Sequence, residues 1–303
     1  MRNASALFRL AAPLFAVGVL LGGCGQAPLS QNPDAVPGSR TGSGHGIQGT
    51  PFLAPGGAPG EPAGAGAAAG TGTVTGTGSK SLARAGTDPA TLPAGSAYRN
   101  PANGRDEVIV EDIRHTAVLI GDSQSEPPNA WPRQALAALG YKPFFCGLGG
   151  TGFVAANGKT GNYLTALQRG DWKLPYGDPS LVVIQGGGND AAKGATDAQI
   201  VANAEQLISV LQQRYPASRF AMIGTLARGA NYGGGRRTQV DTLLGTIAEK
   251  NGIPFVSVGD WLTRYNLSKL LADGVHMNAT GHDILGGLLG TRLKALGLGA
   301  KES

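Results

Sequence analysis

The chain has 303 residues, 50 of them glycine and 19 proline, with a formal net charge of +5. That much glycine and proline, crowded toward the start, excludes a wholly globular chain. From Asp106 onward there are 18 Lys and Arg against 17 Asp and Glu, leaving 7 against 3 before it. The basic excess therefore belongs to the leading segment. The later part has Arg236-Arg237 as its one basic pair and no basic stripe with interleaved aromatics, which excludes a nucleic-acid footprint.

Arg2 and Arg9 form a charged start, followed by an apolar run from Leu10 to Leu21. The run is shorter than the about 20 residues a membrane span requires and has the length of a signal-peptide core. It ends in Leu21-Gly22-Gly23-Cys24, which resembles the bacterial lipoprotein lipobox. The resemblance implies that residues 1–23 are removed and that Cys24 carries lipid on its thiol and amine. The chain would then be an exported lipoprotein of the cell envelope, held to a membrane through Cys24. Cys146 is the other cysteine, so no internal disulfide can form once Cys24 is acylated. It follows Phe144 and Phe145 and reads as a packing residue. Residues 24–105 are mostly Gly, Ala, Pro, Thr and Ser, too poor in large apolar groups to offset backbone entropy. They read as a disordered tether ahead of a folded domain at 106–303.

After Asp106 the pattern changes. His115 to Gly121 and Leu181 to Gln185 are short apolar runs closed by glycine, as buried strands would be. Lys142 to Cys146, Phe220 to Gly224 and Phe255 to Val258 read as three more strands. Helical spacing covers Trp131 to Leu139, Tyr163 to Trp172, a helix capped by Asp197 and ended by Pro216, Thr238 to Lys250, and Ala279 to Leu296. Strands alternating with helices predict an α/β domain. Its expected form is a three-layer αβα, flavodoxin-like, doubly wound sheet of five parallel strands. Ligands of such sheets bind beyond the carboxyl ends of the strands.

Four separated pieces carry chemistry: Gly121-Asp122-Ser123, Gly147-Leu148-Gly149-Gly150, Gly187-Gly188-Asn189-Asp190 and Asp273-Gly274-Val275-His276. In order they offer a hydroxyl, a backbone N–H, a side-chain amide, and an imidazole with a carboxylate three residues earlier. Acyl transfer needs that set. Ser123, Gly150 and Asn189 each fall just past a predicted strand.

These blocks resemble the SGNH, or GDSL-like, hydrolase family from about His115 to Leu296, and Trp131 to Leu136 resembles the family's first helix. The first block departs from the family pattern, with Gln124 where Leu or Ile is usual. The resemblance implies that Ser123 is the nucleophile, His276 its base, and Asp273 the group that orients the imidazole. It also implies an oxyanion hole of the Ser123 and Gly150 N–H groups and the Asn189 amide, with Gly149 as the alternative to Gly150. Asp122 and Asp190 would brace their turns, and His282 would serve packing or the start of the last helix.

Gly147 to Gly152 formally matches a dinucleotide-binding glycine pattern, but it follows the second strand instead of the first. Gly152 to Thr160 resembles a phosphate-binding loop with glycine spacing one residue too long. No Gly-x-Ser-x-Gly elbow occurs, and the four histidines are scattered. We therefore expect no cofactor and no metal. A monomer is also expected. The expected activity is hydrolysis of short acyl esters, O-acetyl groups foremost, on envelope carbohydrate or lipid. A glycan acyltransferase with the same triad and a non-catalytic envelope-binding lipoprotein are the alternatives. Specificity is expected in the loops 151–178 and 227–237, where Arg228, Tyr232, Arg236 and Arg237 could meet an anionic sugar or be solvated.

Overall fold

The computed structural model describes residues 87–301. The expected signal peptide, the lipidation site at Cys24 and the tether up to residue 86 lie outside the described residues. The folded part, expected to begin at 106, includes residues before it. Strands β1 (Ala97–Asn100) and β2 (Arg105–Val108) form an antiparallel hairpin in register from Ala97 opposite Val108 to Asn100 opposite Arg105. This hairpin is polar, which hides it from a search for apolar runs. Its order comes from Glu107, 2% exposed. That carboxylate accepts from Asn100 Nδ2 and Asn103 Nδ2, both at 2.8 Å, and from Arg214 Nε at 2.7 Å. Tyr98 also packs edge-on against Tyr176, ring centres 4.9 Å apart.

The central sheet begins with β3 (Thr116–Gly121), and helix α1 (Trp131–Ala138) leads to β4 (Lys142–Gly147). Then come α2 (Tyr163–Arg169), β5 (Leu181–Gln185), α3 (Gly188–Ala192), α4 (Asp197–Arg214) and β6 (Arg219–Ile223). The chain closes with α5 (Gly235–Lys250), β7 (Phe255–Val256), α6 (Trp261–Arg264) and α7 (Ala279–Ala295). The strand order is β4-β3-β5-β6-β7, all parallel. This is the doubly wound, flavodoxin-like order.

Alternation along the strands builds two apolar layers, because successive side chains point to opposite faces. Ala117 and Leu119 of β3 and Leu181 and Val183 of β5 pack with Trp131, Leu136, Leu285 and Leu289 of α1 and α7. Val118, Ile120, Val182 and Ile184 pack with Tyr163 and Leu167 of α2, Ile200 and Leu207 of α4, and Val240 and Leu244 of α5. Buried on both faces, these strands have no polar alternation. Cys146 is fully buried in the second layer, where burial pushes its thiol pKa up.

Several boundaries differ from the sequence reading. The cap of α4 is Thr196, not Asp197; its hydroxyl accepts from Gln199 N–H in a reciprocal capping box. Helix α2 stops at Gly170, whose φ of 75° suits a left-handed cap. Helix α5 starts three residues early, at Gly235, and β7 is only two residues long. The glycine-rich segment after β5 carries a short helix, α3, that the apolar pattern does not announce.

Candidate active site

The β3 strand delivers Ser123 to its carboxyl end. Two bonds fix the turn beyond it. Asp122 Oδ1 accepts from Gln124 N–H at 2.9 Å, and the Ser125 hydroxyl donates to Gln185 Oε1 at 2.6 Å, linking the turn to the end of β5. Gly121 and Gly147 sit opposite each other in the β3–β4 ladder. A carbon added at Gly147 would collide with the Gly121 carbonyl oxygen, so only glycine allows the two backbones this approach at the site.

His276 reaches the same place from the loop before α7. Its Nε2 lies 2.9 Å from Ser123 Oγ, and its Nδ1 lies 2.8 Å from Asp273 Oδ2. The other carboxylate oxygen of Asp273 accepts the backbone N–H groups of Val275 and His276 at 2.8 and 2.7 Å. The loop thus orients its own acid, and the acid orients the imidazole. The His276 side-chain bond, and then these two N–H groups, lower the Asp273 carboxyl to about 2. Asp273 is therefore a carboxylate throughout the neutral range although 60% of its side chain is exposed.

The expected oxyanion donors separate clearly. The N–H of Gly149 is already used, donating to Glu126 Oε2 at 2.8 Å. The N–H groups of Ser123 and Gly150 have no acceptor among the described residues. Gly150 adopts φ 79°, a left-handed conformation that turns the chain there, and Asn157 Nδ2 closes the turn on the Gly149 carbonyl at 3.0 Å. Asn189, in the first turn of α3, donates from Nδ2 to the Thr151 carbonyl at 2.8 Å. An amide nitrogen carries two hydrogens. The second faces only a long 3.4 Å contact to Asp122 Oδ2.

Two buried carboxyls support this arrangement. Asp190 holds the 151–155 loop: Oδ2 accepts from Phe153 N–H at 3.0 Å, and Oδ1 from Val154 and Ala155 N–H at 2.7 and 2.8 Å. Asp122 is 2% exposed, and burial raises its carboxyl to about 6 despite the opposing pull of the Gln124 N–H, Arg237 and His276. His282 has a structural partner: Trp131 N–H donates to its Nδ1 at 3.2 Å, joining the starts of α1 and α7. Burial lowers the pKa of this imidazole.

Gln124 stood out in the sequence without its role, and Glu126 and Gln185 did not stand out at all. Gln124 accepts from Trp131 Nε1–H at 3.2 Å and donates to the Val275 carbonyl at 3.0 Å. Its departure from the family pattern was the available signal. Glu126 and Gln185 gave none, because their partners are 23 and 60 residues away. Arg236, left open between anion binding and solvent, is engaged: it pairs with Asp197 at 2.6 Å and donates to the Ala195 carbonyl at 2.8 Å.

The model of the GDSL-like Lipase/Acylhydrolase family matches residues 115–284. The chain belongs to that family. Among curated proteins it is similar to a multidomain esterase of Ruminococcus flavefaciens, 28% identical over 134 residues, which is 43% of this chain and 17% of that protein. The chain thus spans less than a fifth of the length of this relative. Among solved structures it is similar to a lipase/acylhydrolase from Enterococcus faecalis, 20% identical, covering 62% of this chain and 100% of that one with a TM-score of 0.47. It is also similar to Est24, a carbohydrate acetylesterase from Sinorhizobium meliloti, 19% identical, covering 60% and 100% with a TM-score of 0.44. Within this family member, the matched segment contains all four blocks of the site.

Proposed function

We propose that the chain is a serine esterase acting through Ser123, His276 and Asp273. The observation that carries this reading is the continuous path from Ser123 Oγ through the His276 ring to Asp273 Oδ2, with links of 2.9 and 2.8 Å. A serine hydroxyl is a weak nucleophile until a base takes its proton. His276 Nε2 accepts that proton as Oγ attacks the ester carbonyl. Nδ1–H donates to Asp273, which holds the tautomer and stabilises the imidazolium. The carbonyl oxygen, now an oxyanion, takes hydrogen bonds from the N–H of Ser123 and Gly150 and from the Asn189 amide. Each such donor contributes about 2.7–4 kcal/mol to the transition state. His276 then protonates the leaving alcohol and, in the second half, activates the water that releases the acyl group.

The likeness to a multidomain esterase supports an ester substrate. A short acyl group of the O-acetyl type is the substrate this reading prefers. The charged start, short apolar run and Gly-Gly-Cys24 ending support export, lipidation and action on carbohydrate or lipid of the cell envelope. Incubation with nitrophenyl esters of increasing acyl length tests the activity. We expect turnover that is highest for acetyl and falls with chain length. Absence of turnover on every ester contradicts the esterase reading. Incorporation of a fatty-acid analogue, lost in Cys24→Ser, tests the anchor; labelling that persists in the variant contradicts it.

A further inference from the structure

Arg237 stands in the first turn of α5, against the glycine that precedes Asn189. A carbon added at Gly188 would collide with its Nη2, and Cζ would lie 3.2 Å away. The guanidinium thus rests on α3 beside the proposed oxyanion hole. It is also close enough to feel the charge of Asp122, one residue before Ser123.

Its five N–H donors take no hydrogen bond or ion pair among the described residues. None of its nitrogens is fully buried without a partner, and the side chain is partly exposed. The adjacent Arg236 is the opposite case, paired to Asp197 and Ala195. Helix α5 gains nothing from a cation in its first turn, where the helix dipole is also positive. Desolvation disfavours the charge further. The nearby Asp122 carboxylate favours the charge, but the guanidinium makes no hydrogen bond to it, and a ligand carboxylate would supply that partner.

We propose that Arg237 recognises a carboxylate carried by the ester substrate, so that the enzyme prefers anionic acyl esters to neutral ones. This rests on the esterase reading above. A guanidinium fork matches a carboxylate with two parallel N–H bonds, which also fixes orientation. Uronic-acid esters and half-esters of dicarboxylic acids both present that group, on the alcohol and the acyl side respectively.

The test uses the full chain and two matched pairs: acetylated glucuronic acid against acetylated glucose, and the nitrophenyl half-ester of glutaric acid against its methyl diester. The readout is the ratio of kcat/KM, anionic to neutral. In one pair we expect wild type to favour the anionic ester, Arg237→Gln to lower the ratio about tenfold or more, and Arg237→Lys to restore part of it. A ratio equal in wild type and Arg237→Gln in both pairs overturns the proposal. So does a loss shared equally by anionic and neutral esters, which would assign Arg237 to the support of Asp122. Should Arg237→Gln not fold, the wild type still decides. Its anionic preference must shrink from low to physiological ionic strength, and a ratio flat with salt overturns the proposal. Hydrolysis of both esters without charge preference removes only this inference, whereas hydrolysis of none removes the esterase reading with it.

Discussion

Gln124 Nε2 donates to the backbone carbonyl of Val275 at 3.0 Å, tying the residue after Ser123 to the residue before His276. The same side chain accepts the Trp131 indole N–H at 3.2 Å. One amide thus sets the distance between two loops that are 151 residues apart in sequence. Gln124→Leu restores the usual family residue but leaves the indole N–H and the Val275 carbonyl unpaired. We expect a stability loss of about 1–3 kcal/mol in denaturant unfolding. We also expect kcat to fall by about 10- to 100-fold with little change in KM, because the imidazole is misplaced. An unchanged kcat would show that the loop holds His276 without Gln124.

Asp122 predicts an unusual pH dependence of stability. Its folded pKa of about 6 lies above the ordinary carboxylate value, so the folded state binds this proton more tightly than the unfolded chain. The stability this provides is present below about pH 4 and is lost as pH rises through about 6. Across that window the cost is about 3 kcal/mol. Urea unfolding of wild type and Asp122→Asn from pH 4 to pH 7 measures this contribution by difference. We expect wild type to lose stability relative to the variant as pH rises, and a difference flat with pH contradicts the buried ionisation.

Asp190 works through three backbone N–H groups shared between its two oxygens. Asp190→Asn keeps an acceptor for Val154 and Ala155 but sets an NH₂ against the Phe153 N–H. The expected loss is about 1–3 kcal/mol, and Asp190→Ala should exceed it. The unfolding midpoints report both. Equal stability of all three proteins would mean that the 151–155 loop does not depend on this carboxylate.

Asp273→Asn tests the orienting acid. The variant retains the size of the side chain but alters the tautomer its partner must adopt. We expect kcat to drop on the order of 10²- to 10⁴-fold with KM nearly constant. Steady-state kinetics on an acetyl ester measure this. A drop of less than threefold would mean that the exposed Asp273 is dispensable and that the backbone alone orients His276.

The layers of the fold were legible because the central strands are buried on both faces. Val118 to Ile120 and Leu181 to Ile184 are continuous apolar runs for that reason. The β1–β2 hairpin was illegible because a polar contact orders it: Glu107 meets Arg214 107 residues away, and no local pattern encodes such a partner. Helix α3 was hidden in a glycine run whose small residues give no periodicity. In the site, Ser123, Gly150, Asn189, Asp273 and His276 stood out because each sits among glycines or turn residues past a strand or before a helix. The supporting bonds from Gln124, Glu126 and Gln185 did not, since each joins segments that meet only after folding.

The proposed mechanism requires Ser123 to be the hydroxyl that His276 activates. Reaction of the full chain with a fluorophosphonate, followed by mass spectrometry of the peptides, tests it most directly. A single adduct on Ser123 is expected, absent in Ser123→Ala and formed far more slowly in His276→Ala. An adduct that persists in Ser123→Ala, or that forms at the wild-type rate without the imidazole, contradicts it.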